Sequence, residues 1–94
     1  MLDYIKKALR VMTTAFDDQL TALIEAAKLD LKIAGVDVDH IADTDNLLRV
    51  AVASYCALHF GNCRDYDRVK ASYDEQKAQL RTATGYTDWG DNID

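Results

Sequence analysis

Cys56, His59 and Cys63 stand in the stretch LLRVAVASYCALHFGNC, residues 47–63, so two thiols and an imidazole fall within two helical turns. Thiolate and imidazole are the donors that zinc selects, and a pair of thiols suggests redox chemistry. The spacing does not complete either site. Structural zinc takes four ligands, no CxxC or HxxxH pair supplies the rest, and His40 is the only other histidine. On an unbroken helix, thiols seven residues apart are about 10 Å apart, beyond disulfide reach. No metal and no cofactor is expected. Cys56 reads as a small hydrophobe, and His59 as a histidine at the edge of a core bonded to a carbonyl.

The second candidate is the acidic stretch VDVDHIADTDN, residues 36–46. Asp37 and Asp39 match the first two ligand positions of an EF-hand loop. Ile41, Ala42 and Leu48 then occupy positions that need an oxygen ligand, a glycine and a bidentate glutamate. The motif fails, and the stretch reads as a solvated acidic loop. There is no GxSxG, no glycine-rich phosphate loop and no carboxylate pair placed for acid–base work. No catalytic residue is identified, and the chain is not expected to be an enzyme.

These side chains must be positioned by helices. The 94 residues contain no proline and four glycines, which favours long unbroken helices, and no run alternates as a strand does. The fold class predicted is all-α: about four helices around a buried central helix, with a flexible acidic C-terminal tail. The first helix is predicted over 2–12, where Leu2, Ile5, Leu9 and Met12 share a face. The second starts at Asp17-Asp18, carries the stripe Leu20, Leu23, Ile24, Ala27, Leu31 and Ala34, and ends at Gly35. In the loop that follows, Val36, Val38 and Ile41 are expected to turn inward. Thr44 or Asp45 should cap a third helix over 46–61. The fourth runs from about Asp65 to Thr82 with Tyr66, Val69, Tyr73 and Leu80 inward, and Asp67–Lys70 and Lys70–Asp74 as surface pairs.

Within residues 47–60 only Arg49, Ser54 and His59 are not apolar. A helix apolar on nearly every side is enclosed by its neighbours, so this third helix is the expected post of the bundle. The expected core is Leu20, Ile24, Ala27, Leu31, Leu47, Ala51, Tyr55, Leu58, Val69 and Tyr73. The expected organisation is one helical domain over 1–82 and a flexible tail over 83–94. Tyr86 and Trp89 in that tail are candidate anchors for docking a partner, with packing back onto the same subunit as the alternative.

The formal net charge is −5, with 11 basic and 16 acidic residues and no basic stripe. A groove that grips DNA phosphates needs clustered Lys and Arg, so tight nucleic-acid binding is not expected. The alternative function, a small helical regulatory or DNA-binding module, would use the third helix as reader. Its only basic residue is Arg49, too few for a major groove. The longest apolar run, about 14 residues, falls short of the roughly 20 that span a bilayer. No membrane role is expected. MLDYIKKALR lacks the apolar core of a secretory signal, so synthesis in the cytoplasm with reduced cysteines is expected.

The order of parts completes the reading. A short basic opening helix, LDYIKKALRV, precedes DDQLTALIEAAKLDLKIAGV, an acidic loop, the apolar LLRVAVASYCALHFGNCRDYDR and the closing KASYDEQKAQLRTATGY. Over about residues 1–86 this resembles the phage head–tail connector family, also called DNA-packaging or adaptor proteins and often found in prophages. Many relatives carry a tryptophan or bulkier aromatic where this chain has His59-Phe60. The resemblance implies a structural subunit of the virion, made in the bacterial host cytoplasm. It implies a homo-oligomeric ring beneath the portal protein that extends the DNA channel and meets the next adaptor or tail-completion protein. DNA would pass without specific binding, and Asp37, Asp39, Asp43 and Asp45 are candidate lumen-facing acids that would repel it.

Overall fold

The computed structural model of the chain describes residues 1–61 and 63–82. Four α-helices follow one another, with no strand among the described residues: α1 (Leu2–Leu9), α2 (Asp17–Ile33), a 3-10 turn at Val38–His40, α3 (Asn46–His59) and α4 (Tyr66–Thr82). The fold is all-α, and α3 packs against α1, α2 and α4.

α1 buries Ile5 and half-buries Leu2 and Leu9. It stops three residues short of the predicted end. Arg10 turns into the left-handed region at φ 58, and the Val11 amide donates to the Lys6 carbonyl at 2.8 Å. Apolar spacing alone could not foresee a left-handed arginine. Met12, expected on the inward face, is therefore exposed.

α2 buries Leu20, Ile24, Ala27 and Leu31, one residue per turn on one side. Asp17 stands in its first turn, where the dipole favours an anion, and also reaches back to Lys6 of α1 at 2.8 Å. Gly35 ends the helix at φ 103, and the Val36 amide donates to the Leu31 carbonyl at 3.0 Å. That pattern satisfies an orphan carbonyl and delivers buried Val36 to the core. Val38 is buried beside it, and Ile41 is half-buried.

α3 begins at Asp45, whose carboxylate accepts from the Leu48 amide at 3.1 Å. Leu48, Ala51, Val52, Cys56 and Leu58 are buried, and Tyr55 packs half-buried against the same core. The helix is central, yet it is not enclosed. Leu47, expected in the core, is 43% exposed, and Val50 is 39% exposed. Three neighbouring helices cover only part of its circumference, and Leu47 and Val50 stand on the uncovered part. At its C-terminal end Phe60 meets Phe16 edge-on, with ring centroids 5.3 Å apart.

α4 buries Tyr73 and Leu80 and half-buries Val69. Tyr66, predicted inward, is exposed because it lies in the first turn, at the free end of the helix. The Lys70–Asp74 pair forms at 2.9 Å, and Asp65 pairs with Arg68 at 3.3 Å.

Candidate functional site

Cys56 and His59 stand three residues apart on α3, yet one is buried and the other exposed. Cys56 faces the core, is fully buried and is a free thiol. Burial pushes it up from its ordinary value to about 11, because a thiolate there would lose its hydration. His59 is exposed in the last turn, with its ring 4.3 Å from that of Tyr55. Cys63 lies beyond α3, past Gly61, which has φ 75. Cys63 therefore does not continue the helical face that Cys56 and His59 begin. The reason is local: the helix stops at His59. Among the described residues, no three His, Cys, Asp or Glu side chains gather closely enough to hold a metal ion.

The acidic loop is held by its own subunit. The Asp37 carboxylate lies 2.8 Å from Nδ1 of His40, within the 3-10 turn. Asp39 accepts from Lys32 and Asp43 from Lys28, each at 3.1 Å, and both lysines come from α2. Asp45 caps α3. Each of the four candidate lumen-facing aspartates thus has a structural contact, and two lysines offset part of their charge. Between loop and helix runs a surface groove of about 400 Å³, lined by Glu25, Lys28, Leu29, Lys32, Val38, Asp39, Ile41 and Asp43. Lys28 pairs with Asp43 and Lys32 with Asp39 along it, and its lining presents no nucleophile beside a base.

Two contacts were not visible in the sequence. The buried Tyr73 hydroxyl of α4 donates to Asp30 of α2 at 2.5 Å, and Lys77 reaches the same carboxylate at 3.3 Å. Burial first, and the Asp30 carboxylate second, raise the phenol far above its ordinary value. The partners are 43 and 47 residues apart in sequence, so no local pattern could announce them. The other contact is that of Arg49, the single charge in the apolar stretch. Its guanidinium stands 4.6 Å from the centre of the Tyr4 ring in α1, and it donates to Asn46. An arginine so engaged is a packing element, not a reader of phosphates.

Of the expected core, Leu20, Ile24, Ala27, Leu31, Ala51, Leu58 and Tyr73 are buried, Tyr55 and Val69 are half-buried, and Leu47 is at the surface. The candidate anchors Tyr86 and Trp89, and the tail over 83–94, lie outside the described residues. No described helix is long and apolar enough to cross a membrane.

Nothing in these contacts assembles a reactive centre. What the surface does offer is apolar side chains in rows: Leu29 and Ile33 on α2, Leu47 and Val50 on α3. The sequence model of the family described as phage connector protein matches residues 1–87. No curated protein and no solved structure matches the chain.

Proposed function

This chain belongs to the phage connector protein family, and from that premise we propose that it is the head–tail connector subunit of a phage or prophage particle. The family is a structural one. In this reading, copies of the chain form a ring beneath the portal protein, extend the DNA channel and receive the next adaptor or tail-completion protein. The observation that carries it is the reach of the family match, residues 1–87, which takes in all four helices and the connections between them.

The physical chemistry is compatible. A ring is built from head-to-tail contacts, in which one patch meets a different patch on the neighbour. A subunit of this size buries only around two thirds of its unfolded surface, so contacts with neighbours add stability it otherwise lacks. A net charge of −5 keeps DNA moving rather than bound. Within the same proposal the aspartate loop borders the channel, with Lys28 and Lys32 moderating its field, and Tyr86 and Trp89 dock the portal or the tail. The experiment is deletion of the chain's gene from its phage, followed by electron microscopy of the lysate. DNA-filled heads without tails are expected. Tailed, infectious particles in that lysate refute the proposal.

A further inference from the structure

The groove between α2 and the acidic loop, about 400 Å³, lies in the lower part of the size range of small-ligand pockets. Its lining is apolar at three places: Val38, Ile41, and Leu29 of α2, which is 58% exposed. Along it run the ion pairs Lys28–Asp43 and Lys32–Asp39. Such a site suits a flat apolar group with one hydrogen-bond donor and no acceptor. The apolar side chains cover its faces, a carboxylate accepts its proton, and an ammonium lies against its π-system. An indole is that group, and the chain contains one tryptophan, Trp89.

The end of α4 brings that residue within reach. Tyr55 of α3 and Tyr73 of α4 meet with ring centroids 5.6 Å apart, and a short link joins the two helices, so they run antiparallel. Seven residues back from Tyr55 stands Leu48, and seven on from Tyr73 stands Leu80, both buried. α4 therefore ends beside the start of α3. Asp45 caps that start, and Asp43, two residues earlier, lines the groove. Asp30, which Tyr73 and Lys77 contact, is two residues from each of Lys28 and Lys32, so α4 and the groove occupy roughly opposite flanks of α2. Half the girth of a helix is under about 20 Å. Trp89 stands seven residues past Thr82, a span of up to about 23 Å.

We propose that in the free subunit the segment 83–94 passes round α2 and seats Trp89 in this groove of its own chain. The inference goes beyond the connector reading, in which the same residue docks the portal or the tail: a partner that takes Trp89 must first draw it out of the groove. The seat is weak enough to allow that. Asp88 and Asp91 stand near Trp89 in sequence, and Asp39 and Asp43 in the groove repel them. Added salt screens this repulsion and tightens the seat. The groove thus shields an apolar anchor from water before assembly and competes with its partner for it.

Because Trp89 is the single tryptophan, the fluorescence of the full chain, excited where tyrosine does not absorb, reports on it alone. The native protein should emit to the blue of the urea-unfolded chain, by the same amount at every dilution. Leu29→Glu places a charge in the groove at an exposed position. Its emission should move to the red, and acrylamide should quench it about as strongly as it quenches the unfolded chain. Leu29→Ala should shift it the same way by less. Val50→Glu, exposed on α3 and outside the groove lining, should leave it alone, and circular dichroism melts check that each variant keeps the fold. A native emission that matches the unfolded chain overturns the inference. So does a blue-shifted emission that both Leu29 variants leave unchanged, by placing Trp89 elsewhere. A blue shift that fades on dilution overturns it by giving Trp89 to the groove of another copy. None of these outcomes touches the connector reading, which fails only if tailed particles form without the chain.

Discussion

Cys56 and Tyr73 are the two groups whose ionisation the fold opposes most. Cys56 sits at about 11 against an ordinary 9.0, so between those values the unfolded chain has lost its thiol proton and the folded chain has kept it. Folding stability from this group is complete below pH 9 and drains away as pH rises through about 11. Urea midpoints should be flat below pH 8 and fall above 9. Cys56→Ala should start lower, by about 1 kcal/mol for the missing contacts, and should decline less steeply between pH 9 and 10. An identical slope in both proteins would show that the thiol is not the titrating group. The sequence reads Cys56 correctly as a small hydrophobe because its neighbours are apolar. Nothing local revealed Tyr73, whose partner Asp30 lies on another helix. Tyr73→Phe keeps the ring and removes a hydrogen bond to a carboxylate, a loss of about 1.5–3 kcal/mol. An unchanged denaturation midpoint would mean the α2–α4 clip carries no stability.

At the scale of the element, caps and termini explain both the success and the failure of the sequence reading. Asp45 announces α3 because an aspartate before an apolar run has one obvious use. Asp45→Ala should cost about 1 kcal/mol, read from thermal melts. α1 misled because the stripe Leu2, Ile5, Leu9, Met12 continues past the point where the backbone turns. Arg10 holds a left-handed conformation that costs a residue with a Cβ about 1–2 kcal/mol. Arg10→Gly should therefore raise stability by up to about 1 kcal/mol, and a lower melting temperature would show that the arginine side chain earns its place by contacts. α3 shows the other kind of limit. A uniformly apolar helix reads as enclosed, but periodicity cannot say how many neighbours enclose it. Leu58 is buried, and Leu58→Asp places a charge in the core at a cost of several kcal/mol. It should abolish the cooperative melt followed by circular dichroism. Leu47→Asp, at the surface of the same helix, should not.

For the whole molecule, the four described helices and their order follow from residue types and spacing. How the molecule uses its surface does not, because an outward apolar row becomes visible only once the core has claimed the other side of the same helix. Ile33 illustrates this. In sequence it continues the greasy character of α2, and in the fold it is 78% exposed, so it adds little to the isolated subunit. If neighbours cover it, folding and assembly are linked, and the melting temperature rises with protein concentration. For a 94-residue chain, each kcal/mol gained by association lifts the melting temperature by about 4–8 °C. The wild type should therefore melt measurably higher at high than at low concentration. Ile33→Glu should match the wild type when dilute and lose the concentration dependence. A variant that melts lower at every concentration would place Ile33 in the subunit's own core. One that keeps the wild-type rise would leave Ile33 without a role in assembly.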